Sequence, residues 1–211
     1  MAGYLRLLQV PLGITSAIAA SLSGLLYWKQ NELIYPRNIP PGARTEVPRP
    51  RDFPQYDFQE SSEELKLLTP DGEEINAFLL KPRQRRRSTG INRNDATVIM
   101  FHGNAGNIGH RIDIAGCLQL TIPVNILMVE YRGYGLSTGV PDEKGLNIDA
   151  QTALDFVRTR EDLNSSKIVI YGQSIGGAVA VQLAVDNQQH GDIAAVILEN
   201  TFLSIKKLIP T

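Results

Sequence analysis

From residue 97 onward the chain alternates short, almost wholly apolar runs with stretches whose apolar residues recur at helical spacing. The runs 97–101, 125–129, 167–171 and 194–198 read as buried strands. Between them, helices are predicted over about 109–120 and 175–187. A third joins them, in which Leu146, Ala150, Ala153, Leu154 and Val157 share one face and Asp142 stands at the capping position. Strands apolar on both faces and separated by helices imply a mostly parallel sheet covered on both sides. Upstream, the runs 65–68 and 75–80 flank the turn sequence Pro70-Asp71-Gly72, which predicts an antiparallel hairpin leading into the sheet. The fold class is therefore α/β.

The N-terminal part follows other patterns. No charged residue occurs from Leu7 to Trp28, a run bounded by Arg6 and Lys29 and closed by Tyr27-Trp28. That is long enough to cross a bilayer and longer than the apolar core of a cleaved signal peptide, so residues 1–30 are expected to form a transmembrane anchor. Lys29, Arg37 and Arg44 bias the following domain toward the cytosol. Six of the 12 prolines fall between Pro36 and Pro54, which excludes regular helix or central strand and marks 31–60 as a Pro-rich linker or wrap. Its Val47, Phe53, Tyr56 and Phe58 predict packing on the domain surface. Residues 83–94, with Arg85-Arg86-Arg87, read as a solvated loop, and Asn164-Ser165-Ser166 as an accidental sequon. Residues 61–211 then form the α/β domain.

Composition narrows the chemistry. A formal charge of -1 over 211 residues offers nothing to a nucleic acid. His102, His110 and His190 lack metal-ligand spacing, so no metal and no cofactor is expected. The single cysteine, Cys117, excludes an internal disulfide and is expected to be a small buried residue on its helix. What remains is Gly172-Gln173-Ser174-Ile175-Gly176, set between a strand and a helix. Glycines at both flanks let the backbone make a sharp turn that lifts a serine hydroxyl over a helix N-terminus, a nucleophile elbow. Parallel sheets gather chemistry at the C-terminal strand ends. Two further segments end there: 102–107 after the first parallel strand and 130–135 after the second. An acyl-transfer serine needs amides aimed at the oxyanion; those of Ile175 and of Asn104 are the candidates. Gly103 allows close approach, and His102 is expected to orient the loop.

The phrases FHGNAGNIGHR, EYRGYGLSTG, YGQSIGGAVA and ENTFLSI, with LIYPR and LLTPDGEEINAFLL before them, resemble the membrane-anchored α/β-hydrolases of the bud-emergence type, relatives of the α/β-hydrolase-domain protein depalmitoylases. The resemblance runs from about residue 28 to the end. It implies the α/β-hydrolase fold and a serine hydrolase of ester or thioester bonds, with Ser174 as nucleophile and Asn104 and Ile175 as oxyanion donors. Lipid or acylated-protein substrates and an endoplasmic reticulum or other endomembrane location are the expectations that accompany an anchor. Where that family commonly has aspartate, this chain has Glu130, which keeps the charge.

In this fold the triad runs serine, acid, histidine along the chain. After Ser174 the only histidine is His190, which follows a helix and so falls at the wrong sheet edge with Asp186 and Asp192, whereas Glu199 lies at the right edge with no histidine to orient. The acid and base are therefore expected beyond Thr211. The domain is expected to be partial, with the apolar run 194–198 left as an edge and the isolated chain poorly stable. Two other readings stand beside this one. One is a membrane-anchored but catalytically silent interaction protein. The other is a dinucleotide-binding unit, although Gly103, Gly106 and Gly109 do not make its glycine pattern.

Overall fold

A computed structural model describes residues 2–58, 60–82, 96–163 and 167–202, with side chains from residue 13. The basic loop and the sequon lie outside the described residues. The chain divides into two compact units, Met1–Pro36 and Arg37–Thr211.

The first unit is a single helix, α1 (Ala2–Ile34), so helix replaces the start of the expected linker. Part of the expected anchor, 7–12, lies outside the residues whose side chains are described. Among the described residues no helix is long and apolar enough to cross a membrane. Even so, Ile14, Ile18, Leu22, Leu25 and Leu26 are all exposed, apolar side chains that no core receives.

The second unit is built on a six-stranded sheet of order β1-β2-β4-β3-β5-β6. Strands β1 (Ser62–Leu68) and β2 (Glu74–Leu80) form the predicted hairpin, and β2 runs antiparallel to β4 (Asn125–Val129). The remaining pairs, β4 with β3 (Ala96–Phe101), β3 with β5 (Lys167–Gln173) and β5 with β6 (Ile193–Glu199), are parallel. Helices α2 (Ile112–Thr121), α3 (Glu143–Thr159) and α4 (Ile175–Asp186) supply the crossovers. Asp142 caps α3 as expected, accepting from the Gly145 amide at 2.6 Å.

After β3 the chain moves to one side to form β4, then returns past β3 to form β5. Right-handed crossovers in opposite directions put their helices on opposite faces, and a crevice opens between the loops that leave β3 and β5. On one face Phe78, Leu80, Val98, Met100, Ile126 and Met128 meet Ile112 and Ala115 of α2, with Phe58 sealing the layer. The alternate set, Leu79, Ile99, Leu127 and Ile170, is fully buried toward α3 and α4. Among the described residues β6 has no neighbour on its outer side, and Val196, Ile197 and Leu198 stay 37–47% exposed.

One expectation changes in detail. Cys117 is exposed, because α2 turns Ile112, Ala115 and Gly116 inward and leaves the next position beside that face. Tyr56 lies over Gly116 and places its hydroxyl 2.9 Å from Asp113 Oδ1 and 3.7 Å from Cys117 Sγ. The Pro-rich segment is a wrap, with Ala43, Pro50 and Phe58 buried.

Arginines tie the elements at their rims. Arg132, almost buried, bonds Asp149 of α3 and Asp71 of the hairpin turn. Arg158 holds Asp192, and Arg160 holds Glu63. The guanidinium partners keep Asp71, Glu63 and Asp192 below the usual carboxylate range. Burial pushes Asp149 the other way, against its bonds to Arg132. A depressed native value contributes stability above the unfolded value that is lost as pH falls through the native one, whereas Asp149 contributes with the opposite sign. With Asp162 depressed as well, four groups stand against one, and melting temperature is expected to fall below about pH 4, the ordinary carboxylate range. Arg158→Gln should shrink that acid loss; thermal melts of both proteins between pH 7 and pH 3 test it, and an unchanged slope would refute the assignment to Asp192.

Candidate active site

At the end of β5, Ser174 takes φ 54° and ψ −115°, a left-handed conformation rare for a residue with a side chain. It caps α4, and the turn closes through Gly177 N donating to Ser174 O at 3.0 Å. Close backbone packing imposes the strain. A Cβ on Gly172 would lie 2.2 Å from Gly176 O, and one on Gly176 would lie 2.3 Å from Phe101 O. The strand, the helix start and the end of β3 thus touch with no room for a side chain. The Ser174 amide donates to Glu199 O at 2.9 Å and Thr201 Oγ1 donates to Ser174 O at 2.9 Å, so the segment after β6 braces the turn.

The loop after β3 comes to the same place. A Cβ on Gly103 would be 3.5 Å from Ser174 Cβ, in ordinary contact. Ala105 (φ 69°) and Gly106 (φ 73°) are both left-handed and reverse the chain just after Asn104. The wrap fastens this loop: Ile39 O accepts from the Gly106 amide at 2.6 Å, and Asn107 Nδ2 donates to Ala43 O and Glu46 O at 3.0 and 3.1 Å.

The third segment lies beneath. Tyr131 donates to His102 O at 3.0 Å, and burial pushes its phenol well above the usual value, so it remains a donor. His102, buried, directs Nδ1 to Gly103 O at 2.8 Å; a carbonyl only accepts, so Nδ1 carries the proton. Its Nε2 lies 3.0 Å from Glu130 Oε1 without hydrogen-bond alignment, and neither atom has another hydrogen-bond partner among the described residues. Glu130 Oε2 accepts from the Ile108 amide at 3.0 Å. His102 thereby ties the loop at Gly103 O.

Ser174 and Gly103 come into contact distance at the C-terminal ends of β5 and β3, which carries their chain neighbours Ile175 and Asn104 to the same sheet edge, with Gly172 and Gly176 as the close-contact positions. His190 lies in the turn between α4 and β6, the opposite sheet edge. Glu199 is held by Tyr171 Oη and by Gln173 Nε2 at 3.2 Å, and burial, then Glu199, raises the Tyr171 phenol. Sequence reasoning missed the roles of Tyr131, Tyr134 and Asn107, which the EYRGYG and HGNAGN phrases contain but whose contacts span 29 to 64 residues of chain. Among the described residues no group of three or more His, Cys, Asp or Glu side chains is placed to hold a metal ion.

The family model described as serine aminopeptidase, S33 (Hydrolase_4) matches residues 92–211. The chain is an α/β-hydrolase of this family. It is 42% identical to the protein bem46 of Schizosaccharomyces pombe over 92% of its length and 61% of that protein's. It is 38% identical to the α/β-hydrolase domain-containing protein WAV2 of Arabidopsis thaliana, covering 68% of this chain and 44% of that one. An uncharacterized membrane protein of Saccharomyces cerevisiae is 37% identical over 94% and 64%. The chain thus spans about half to two thirds of the curated relatives it matches. Among solved structures, an α/β-hydrolase from Vibrio vulnificus overlays with TM-score 0.67 at 23% identity, covering 85% of this chain and 59% of that one. An esterase of Pyrococcus furiosus overlays with TM-score 0.58 at 18%, over 74% and 56%. At these identities the overlays establish the fold. The hydrolase fold also displaces the dinucleotide reading.

The strain at Ser174 is measurable. Ser174→Gly is expected to stabilise the hydrolase by about 1 kcal/mol, part of the cost of a disfavoured backbone region. Ser174→Ala keeps a Cβ and should give no such gain. Paired melts check this, and equal melting temperatures would show the turn to be unstrained.

Proposed function

We propose that the chain is the nucleophile-bearing part of a membrane-associated serine hydrolase that cleaves ester or thioester bonds of acylated lipids or proteins. The observation that carries this reading is Ser174, left-handed at the tip of the β5–α4 turn and facing the Gly103 loop in contact distance. Ser174 Oγ attacks the acyl carbonyl, and the oxyanion is received by the amides of Ile175, at the open first turn of α4, and Asn104. The carbon–oxygen or carbon–sulfur bond breaks, the alcohol or thiol leaves with a proton, and water releases the acyl group from Ser174. A general base takes the Ser174 proton and passes it to the leaving group.

Two features support membrane proximity. Apolar side chains are exposed along α1, and a yeast relative bears the name membrane protein. Residues 1–30 are expected to retain the protein in the membrane pellet after alkaline carbonate washing, and their deletion to release it; retention without them would remove the anchor.

For the chemistry, the full-length natural protein is treated with a fluorophosphonate and with matched acyl esters, acyl thioesters and aminoacyl amides. Ser174→Ala should abolish labelling and ester and thioester turnover by at least about a hundredfold. Turnover of the amides alone would replace this reading with a peptidase.

A further inference from the structure

Tyr134, buried beside the Gly103 loop, takes no part in the chemistry of Ser174. It is 1% exposed, and its hydroxyl donates to Asn104 Oδ1 at 2.7 Å. The same oxygen accepts from the Ala105 amide at 3.2 Å. Asn104 immediately precedes the left-handed pair Ala105 and Gly106, where a residue with a side chain resists the backbone it is given. The Asn104 side chain therefore closes a small ring over the strained peptide, and Tyr134 anchors that ring to the β4 side of the crevice. The phenol itself is wedged: its ring meets His102 edge-on at 5.5 Å and Tyr131 at 6.0 Å. A rigid ring in a packed core is a fixed point from which a loop can be aimed.

We propose that Tyr134 is a positioning residue for the oxyanion site: through the Asn104 side chain it fixes the direction of the Asn104 backbone amide beside Ser174. This rests on the serine-hydrolase reading above. Tyr134 acts through Asn104, so its removal should impair stabilisation of the transition state and leave ground-state binding unchanged.

The test uses the full-length natural protein and Tyr134→Phe, which keeps the ring and removes only the hydroxyl. The expected result is a fall in kcat of about tenfold, less than loss of an oxyanion donor itself, with KM unchanged. Affinity for an alkyl boronic acid, which mimics the tetrahedral state, should fall in parallel. Amide exchange should quicken in 102–107 while melting temperature holds. Asn104→Ala, which retains the backbone amide, should give the same loss, and the double variant no more than either single one. An unchanged kcat, additive losses, or a kcat loss matched by a rise in KM and a drop in melting temperature would each overturn the assignment. If the parent protein shows no Ser174-dependent turnover, the hydrolase reading fails first and this inference with it.

Discussion

The site depends on backbone meeting backbone at the elbow. Gly172 and Gly176 leave no side chain between the end of β5, the first turn of α4 and the carbonyl of Phe101. That contact forces Ser174 into its left-handed turn and brings the start of the Gly103 loop against it. A methyl group at either glycine would have to displace main chain rather than a flexible side chain. Packed interiors resist such displacement. The position of Ser174 is thus set by this packing together with the main-chain hydrogen bonds that its turn makes with Gly177, Glu199 and Thr201.

Around this contact the molecule builds a frame in layers. The Gly103 loop is held from below by Tyr131, Tyr134 and the His102 Nδ1 bond to Gly103 O. From above it is held by Ile39, Ala43 and Glu46 of the wrap. The wrap reaches the neighbouring loop as well, through Arg44 to Ser137 O and Arg37 to Gly139 O. The Pro-rich segment thus braces both loops at the C-terminal sheet edge. Proline suits this task, since a segment that makes few ladder bonds of its own leaves its carbonyls for the loops it covers.

Polar groups in this frame are not interchangeable with apolar ones. His102, Glu130 and Asn107 are buried, and each fixes main-chain groups that would otherwise be orphaned. Glu130 also fits a space bounded by Gly135, where a Cβ would lie 2.1 Å from its Oε2. The carboxylate there accepts the Ile108 amide through Oε2.

Much of this was legible along the chain. Strand and helix periods at 97–198, the Asp142 cap, the Pro70–Gly72 turn and the elbow around Ser174 are local signals, because side-chain period and turn chemistry act over a few residues. Cys117 was misread because a helix buries a face whose centre depends on what packs there, and Tyr56 with its neighbours chose Gly116. Which residues hold the Gly103 loop could not be read in this way. Tyr134 and Asn104 are 30 residues apart, and Asn107 and Ala43 are 64 apart, so their contacts exist only after β3, β4 and the wrap are stacked. The sequence by itself determined the elements, their order and the strand–serine–helix turn; the tertiary structure alone decided how the loops are aimed, since direction is set by long-range packing that no local pattern encodes.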